Sequence, residues 1–288
     1  MNNLVLLNGE ILPAAEAQLN RGDRGQQFGD GIYCLVPVYN GKAFALLPYL
    51  EEFFNSAIKL KLPGIYTVDE LVEFHEALIK ETGMVNGEIY TQLTRGVGGY
   101  GLAFPDMVVP ELTMYAIEHD RSELPALQAS GVNIITEPDV RWQCCDINTL
   151  NLLPEVLAKQ KAREARAFDT LFVRDKEKVT ESTEANIFIY KDDILWTPPA
   201  DKLVHGRIMR RLVKERLAPE VDIQLVEKHI KPEFLLAADE VFLVGTRCEI
   251  MPVTKVDRQF IADRKPGKVA QTILERYQDF VAHECPKQ

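Results

Sequence analysis

The side chains best suited to metal binding or nucleophilic attack, histidine and cysteine, are scattered along this 288-residue chain. Zinc sites and disulfide frameworks require these residues at short, regular spacings. The sequence has no such spacing among Cys34, Cys144, Cys145, Cys248 and Cys285, or among His75, His119, His205, His229 and His283. We therefore expect reduced thiols and no metal site. Walker, GxSxG and HExxH motifs are also absent, which removes support for several large enzyme classes.

Three polar segments hold the other candidates for chemistry. They are RGDRGQQFGDGIY at residues 21–33, RWQCCDINTLNLL at 141–153 and VTESTEANIF at 179–188. Tyr33, Arg141 and Glu181 supply a phenol, a guanidinium and a carboxylate, which form a buried polar network when a fold brings them together.

In this order, the three segments resemble the class IV (fold-type IV) pyridoxal-phosphate aminotransferases, and their pattern is most similar to that of D-amino-acid transaminase. The resemblance runs from Leu4 to the last helix of the chain. It implies an α+β (α/β) protein of two domains, a small N-terminal α/β domain and a larger C-terminal barrel-like domain. It also implies a homodimer with pyridoxal phosphate as cofactor between the domains.

The family chemistry needs a lysine amine in Schiff-base linkage to the cofactor, a carboxylate at the pyridine nitrogen and an arginine at the phosphate. By resemblance, Glu181 takes the pyridine position, Tyr33 is the active-site tyrosine, and Arg141 lies beside them as a catalytic residue. The full set of positions assigned to cofactor binding is Glu181, Glu52, Gly206, Arg207, Ile208 and Thr246.

Several of these positions depart from the family pattern. Asn148 stands where the family has its lysine, and an amide cannot form a Schiff base. Glu52 stands where the helix YLEEFF should carry the phosphate arginine, and Ile208 replaces the hydroxyl of the family's Gly-Ile-Thr turn. The loop positions that bind the substrate carboxylate in D-amino-acid transaminase fall on Tyr100 and Leu102.

These combined changes favour a divergent family member whose pyridoxal-phosphate-dependent transamination is impaired or lost, and which acts as a binding or regulatory pseudoenzyme or in cofactor-independent chemistry. We do not expect tight or covalent binding of the cofactor. Two alternatives stay open. One is an active aminotransferase or aminodeoxychorismate-lyase-like enzyme with a surrogate amine, the nearest downstream lysines being Lys159 and Lys161. The other is a lysine-to-asparagine variant of an active transaminase.

The elements that must position these residues can be read from periodicity and turn signals. Thr67 and Glu70 form a capping box, which predicts that a helix begins here, and Gly83 predicts its end. The other elements predicted up to residue 118 are strands Leu4–Asn8, Gly31–Tyr39, Ala43–Leu47, Glu88–Thr94 and Glu111–Glu118 and helix Tyr49–Leu60.

After residue 118 the pattern changes, so we predict domains at 1–118 and 124–288 joined by a linker at 119–123. We expect a small-molecule ligand in the cleft between them, where such sites usually lie. The main elements predicted in the second domain are strands Val132–Glu137, Asn186–Tyr190 and Glu240–Val244 and helices Leu152–Ala165, Arg207–Arg216 and Lys268–Ala282.

Composition limits the partners of the protein. The chain has 33 Lys and Arg against 43 Asp and Glu, a formal charge of −10, and 46% hydrophobic residues, which is typical of globular proteins. The negative charge argues against nucleic acid or an anionic membrane as partner. No apolar run approaches the ~20 residues of a membrane span. Because Met1–Gly9 also lacks a secretory signal, we expect a cytoplasmic protein.

Overall fold

The computed structural model describes residues 3–287, whose contacts divide the chain into two units. Unit 1 holds the chain up to Asp120, the segment Ile147–Asn151 and the residues from Val281 onward; unit 2 holds Arg121–Asp146 and Leu152–Phe280. The first crossing between units falls within the predicted linker at 119–123. The predicted division did not include the return of residues 147–151 to unit 1, which arises because this segment makes backbone hydrogen bonds to a strand of that unit.

Unit 1 is built on a six-stranded sheet in which all neighbouring strands are antiparallel, in the order β2-β1-β6-β5-β3-β4. Its strands are β1 (Leu4–Leu7), β2 (Glu10–Pro13), β3 (Gly31–Tyr39), β4 (Lys42–Ala43), β5 (Gly87–Thr94) and β6 (Glu111–Glu118). Its helices are α1 (Arg24–Phe28), α2 (Leu46–Lys59) and α3 (Val68–Thr82).

Helices α2 and α3 pack apolar residues into the core of unit 1. Leu50 and Phe53 of α2, three residues apart, and Leu71 and Leu78 of α3, seven residues apart, are buried, and these spacings place each pair on one face of an amphipathic helix. The predicted capping box of α3 is confirmed: the Thr67 hydroxyl accepts from the Glu70 amide, and the Glu70 carboxylate accepts from the Thr67 amide.

The predicted strand Ala43–Leu47 is wrong, because β4 ends at Ala43 and α2 begins at Leu46. Ala45 adopts a left-handed conformation with φ of 51°, which takes the chain out of the extended conformation that a strand requires. Phe44 is fully buried at this turn. The apolar run therefore reflects burial at a strand-to-helix corner.

Unit 2 is built on a nine-stranded sheet in the order β12-β11-β10-β13-β14-β7-β8-β9, with β15 added to β14. The strands are β7 (Val132–Pro138), β8 (Asp169–Arg174), β9 (Lys178–Ser182), β10 (Asn186–Lys191), β11 (Ile194–Thr197), β12 (Gln224–Glu227), β13 (Glu240–Gly245), β14 (Glu249–Val256) and β15 (Gln259–Phe260). The helices are α4 (Leu124–Ser130), α5 (Leu153–Glu164), α6 (Ile208–Leu212), α7 (Ala218–Glu220), α8 (Pro232–Leu236) and α9 (Lys268–Glu284), of which the residues from Val281 onward are grouped with unit 1.

The core of unit 2 draws buried side chains from strands across this sheet, among them Leu171, Ile187, Leu243 and Met251. The predicted helix Arg207–Arg216 is observed as α6 followed by a π-helical turn, Val213–Leu217. Within residues 3–287, no helix combines the length and apolar character needed to cross a bilayer.

Candidate functional site

The backbone of Asn148 is fixed against the edge of β3 in unit 1. The Tyr33 amide donates to the Asn148 carbonyl at 2.9 Å, the Leu150 amide donates to the Gly31 carbonyl at 3.2 Å, and Thr149 bridges Ile32. These contacts on both sides of Asn148 place its side chain at a defined position in unit 1.

The side chain of Asn148 contacts α2. Its Nδ2 amide donates to Oε1 of Glu52 at 3.3 Å. One turn further along the helix, the Ser56 hydroxyl accepts from the Asn148 backbone amide at 3.5 Å. Asn148, which was predicted to take the position of the family lysine, and Glu52, a predicted cofactor-binding position, therefore lie in direct contact.

Tyr33 belongs to a column of aromatic rings on the unit 1 sheet. Its ring stacks on Tyr90 at 5.9 Å between centroids, and Tyr90 lies 4.9 Å from Tyr115. Burial, with the neighbouring Tyr115, raises the pKa of Tyr90 far above its ordinary value, so this phenol stays protonated. Its hydroxyl donates to Gln92 at 2.7 Å.

Cys34, next to Tyr33 on β3, is buried. Burial is the main reason that its pKa is raised far above the ordinary range, and the Glu52 charge adds to the shift. The thiol stays protonated near neutral pH, and a protonated thiol is a poor nucleophile. Cys34 therefore fits a structural role.

The loop between β5 and β6 presents Tyr100 and Leu102 to solvent, and each of these side chains is 87% exposed. Tyr100 packs against Phe28 with a centroid distance of 5.4 Å. Neither side chain carries the positive charge that would bind a substrate carboxylate by ion pairing.

In unit 2, Arg141 lies at the centre of a buried ionic network. Its guanidinium donates to both oxygens of Asp139 at 3.0 Å and to Oε1 of Glu181 at 2.6 Å. Arg174 reaches Asp139 at 3.2 Å. Burial favours the neutral acid, but the two arginines hold the pKa of Asp139 below its ordinary value. The predicted proximity of Arg141 and Glu181 is thus present.

Both carboxylate oxygens of Glu181, which is 1% exposed, already have polar partners. Arg141 donates to Oε1, while Oε2 accepts from the Asn186 side chain at 3.2 Å and lies 3.6 Å from Nε of Arg207. The Arg207 side chain is 22% exposed. Arg207 therefore supplies a positive charge beside the oxygen that resemblance assigned to a cofactor nitrogen.

The turn Gly206-Arg207-Ile208 leads into α6, a helix of five residues whose N-cap, Arg207, makes no capping side-chain hydrogen bond. Ile208 is buried and adds no hydroxyl. Thr246 follows β13 and is half-buried, and its neighbour Arg247 pairs with Glu184 at 3.0 Å.

The two lysines nearest downstream of Asn148 lie on α5, and both form ion pairs with carboxylates. Lys159 Nζ lies 3.3 Å from Asp169 and 3.2 Å from Glu184. Burial alone lowers its pKa, but these two carboxylates outweigh burial and raise the pKa above its ordinary value. Lys161 pairs with Glu137 at 2.7 Å on the surface.

Sequence reasoning missed Asp139, Arg174 and Glu155. Glu155 lies in the first turn of α5, and burial is the main cause of its raised pKa, although the nearby Arg141 charge opposes the shift. No motif signals these residues, because their roles depend on strands distant in sequence. Across residues 3–287, no group of His, Cys, Asp and Glu side chains is arranged to hold a metal ion.

Comparisons with known proteins match most of the chain. The sequence model of the family described as amino-transferase class IV matches residues 31–256. A D-alanine aminotransferase of Staphylococcus epidermidis is 36% identical over 278 residues, which cover 96% of this chain and 97% of that protein.

Solved structures share the fold at lower sequence identity. A branched-chain amino acid aminotransferase of Escherichia coli superposes with a TM-score of 0.91 at 21% identity, over 100% of this chain and 97% of that one. A branched-chain aminotransferase of Thermobaculum terrenum in PLP-form has a TM-score of 0.88 at 20% identity, over 98% and 95%.

Proposed function

The chain belongs to the class IV aminotransferase family, and from this premise we propose that it is a member whose pyridoxal-phosphate-dependent transamination is impaired or lost. The fold-type IV architecture expected from the sequence is confirmed. The family and its D-alanine aminotransferase relatives make pyridoxal phosphate the cofactor to be tested. When bound in such enzymes, this cofactor supplies an electron sink for carbanion chemistry.

The contact between Asn148 and Glu52 is the observation that carries the proposal. A Schiff base needs a nucleophilic amine, and the lone pair of an amide nitrogen is delocalised into its carbonyl. The Asn148 amide instead donates to the Glu52 carboxylate at 3.3 Å. The Asn148 side chain is thus engaged by a carboxylate of the protein itself.

Glu52 also opposes the cofactor phosphate electrostatically. At a separation of ~4 Å and an effective dielectric constant of ~20, two like charges repel by about 4 kcal/mol. Each 1.4 kcal/mol corresponds to about a tenfold change in affinity. A carboxylate at the phosphate position therefore lowers the affinity for pyridoxal phosphate by several powers of ten. Ile208, a buried alkyl side chain, offers no compensating hydroxyl.

The arrangement of Glu181 in unit 2 supports the same proposal. A pyridine nitrogen would compete with Arg207 for Oε2 of Glu181, which lies 3.6 Å from Nε of Arg207. The residues present therefore do not fit pyridoxal phosphate in the family pose. The protein is better described as a pseudoenzyme that binds a small molecule. Because Tyr100 and Leu102 carry no positive charge, the selectivity of D-amino-acid transaminase for a substrate carboxylate cannot be assigned to this chain.

An active enzyme with a surrogate amine is less well supported. Lys159 is held by Asp169 and Glu184, and its raised pKa keeps the amine protonated. A protonated amine is not a nucleophile. The alternative of a single lysine-to-asparagine change is opposed by Glu52 and Ile208, since inactivation at position 148 does not require either of them.

We include a homodimer in the proposal, in line with the family. Exposed apolar side chains on the loop between β5 and β6 support it, because large exposed patches of this kind commonly mark interfaces. These side chains are Val97, Tyr100, Leu102, Phe104, Met107 and Val109. Sedimentation equilibrium tests this part: a dimer mass supports it, and a monomer at all concentrations contradicts it. The cytoplasmic location stays a prediction.

Equilibrium binding of pyridoxal phosphate tests the main proposal. We compare the wild-type protein with N148K, with N148K/E52R and with N148K/E52R/I208T by equilibrium dialysis. The proposal expects at least a hundredfold gain in affinity in the triple variant over the wild type. Micromolar or tighter binding to the wild-type protein contradicts it. The variant E51R, at the exposed neighbour of Glu52, controls for the added positive charge.

A further inference from the structure

A single carboxylate oxygen in unit 1 accepts hydrogen bonds from two buried arginines. Oδ2 of Asp30 lies 2.8 Å from Nε of Arg24 and 2.8 Å from Nε of Arg95. Both arginines are 2% exposed. Because each uses its Nε toward Asp30, the two Nη groups of each guanidinium point to other partners.

Arg24 uses its Nη groups to hold the loop between β5 and β6. Nη1 donates to the Gly101 carbonyl at 2.6 Å, and Nη2 donates to the Leu102 carbonyl at 3.4 Å. The same loop approaches Arg24 closely at Gly98, where an added Cβ would lie 2.5 Å from Pro105 Cγ and 3.2 Å from Arg24 Cδ. The loop backbone is thus packed on the arginine.

Arg95 uses its Nη groups to hold the end of α2. Nη1 donates to the Lys61 carbonyl at 2.9 Å, and Nη2 donates to the Leu60 carbonyl at 2.8 Å. These carbonyls follow the last turn of α2, where helix acceptors lack intrahelical partners. The guanidinium also lies over the Phe104 ring at 3.6 Å, a cation–π contact.

We infer that Asp30 is a positioning residue that fixes the loop segment Gly98–Leu102 and the end of α2 at the same time. Its carboxylate orients both guanidiniums and offsets the repulsion between these two buried positive charges. The loop carries Tyr100 and Leu102, and α2 carries Glu52. Asp30 therefore links two groups of candidate site residues through their backbones. The inference concerns the ligand-free protein and holds whether or not pyridoxal phosphate binds.

Hydrogen exchange measured by mass spectrometry on the full-length, ligand-free protein tests this role. In D30N we expect amide exchange to rise at least tenfold both in residues 98–102 and in residues 58–62. In α3, exchange should stay within twofold of the wild type. A residue with a merely structural role would raise exchange throughout unit 1 when removed.

Two conservative variants separate the contacts of Arg24 to the loop from the contacts of Arg95 to the end of α2. R24K keeps a positive charge beside Asp30 but removes the two hydrogen bonds to the loop carbonyls. Only residues 98–102 should therefore exchange faster. R95K removes the two hydrogen bonds to the carbonyls at the end of α2. Residues 58–62 should therefore exchange faster, while residues 98–102 should not. Since lysine cannot form the planar, bidentate fork of arginine, neither variant replaces the lost contacts.

An increase in only one of the two segments in D30N overturns the inference, as does unchanged exchange in both. If D30N fails to fold, D30E keeps the charge but displaces it by one methylene. D30E must then show the same two-segment increase, and exchange equal to the wild type in both segments overturns the inference.

Discussion

The side-chain amide of Asn148 lies 3.3 Å from Oε1 of Glu52, within hydrogen-bond distance. The family resemblance predicts a lysine and an arginine at these two positions, whereas this chain has a neutral amide and an anion that are hydrogen-bonded to each other. The two side chains are complementary, because an amide donor suits a carboxylate acceptor.

Restoring the lysine alone should not restore Schiff-base chemistry. In N148K the new ammonium would form an ion pair with Glu52, and a nearby carboxylate raises the pKa of an amine and keeps it protonated. We expect no reducible adduct with pyridoxal phosphate in N148K and a clear one in N148K/E52R/I208T. Transaminase activity in N148K alone would instead support the single-variant alternative.

The buried network of unit 2 should be costly to break. Replacing Arg141 by methionine leaves Asp139 and Glu181 without their shared partner in a buried setting, which costs about 3 kcal/mol or more. Urea unfolding measures this loss. The surface variant R276M, which removes the exposed contact to Asp279, should cost less than about 0.5 kcal/mol. Equal losses in both variants would contradict this account of the network.

Lys159 should contribute more to stability than Lys161 on the same helix. Lys159 pairs with the buried Asp169, whereas Lys161 pairs with the more exposed Glu137. Because Lys159 is itself partly exposed, K159Q should lower the free energy of unfolding by only about 1 kcal/mol. K161Q should change it by less than about 0.5 kcal/mol. A larger loss in K161Q would reverse this ranking.

His75 should make unit 1 less stable in mild acid. Its Nδ1 bonds the Leu71 carbonyl at 2.7 Å, its Nε2 contacts Thr91 at 3.0 Å, and burial lowers its pKa from 6.5 to about 4. Between these values the unfolded chain binds a proton that the folded chain does not. The stability contribution is therefore complete above pH 6.5 and falls by up to about 1.4 kcal/mol per pH unit below it.

The variant H75Q isolates this titration. Its free energy of unfolding is expected to be lower at pH 7 but to fall less steeply than that of the wild type between pH 6.5 and pH 4.5. Urea unfolding at four pH values gives both slopes. Parallel slopes would show that His75 is not the group that titrates.

Local signals predicted local structure well. Thr67, Glu70 and Gly83 defined the ends of α3, because capping and a left-handed glycine involve neighbours in sequence. The predicted strand Ala43–Leu47 is wrong, since apolar residues at a buried corner have the same pattern as those of a strand. The contact between Arg141 and Glu181 follows from the fold, so only the family resemblance pointed to it. Asp139 and Glu155 gave no signal, because their surroundings come from distant strands.

The most direct test of the central claim is reduction with borohydride after incubation of the wild-type protein with pyridoxal phosphate, followed by intact mass measurement and peptide mapping. We predict no stoichiometric mass increase and no absorbance band that reduction removes. The K159R variant, which keeps the charge of Lys159, serves as the matched control for a surrogate amine. A single modified lysine at one equivalent per chain in the wild type would contradict the claim that this protein has lost its Schiff-base chemistry.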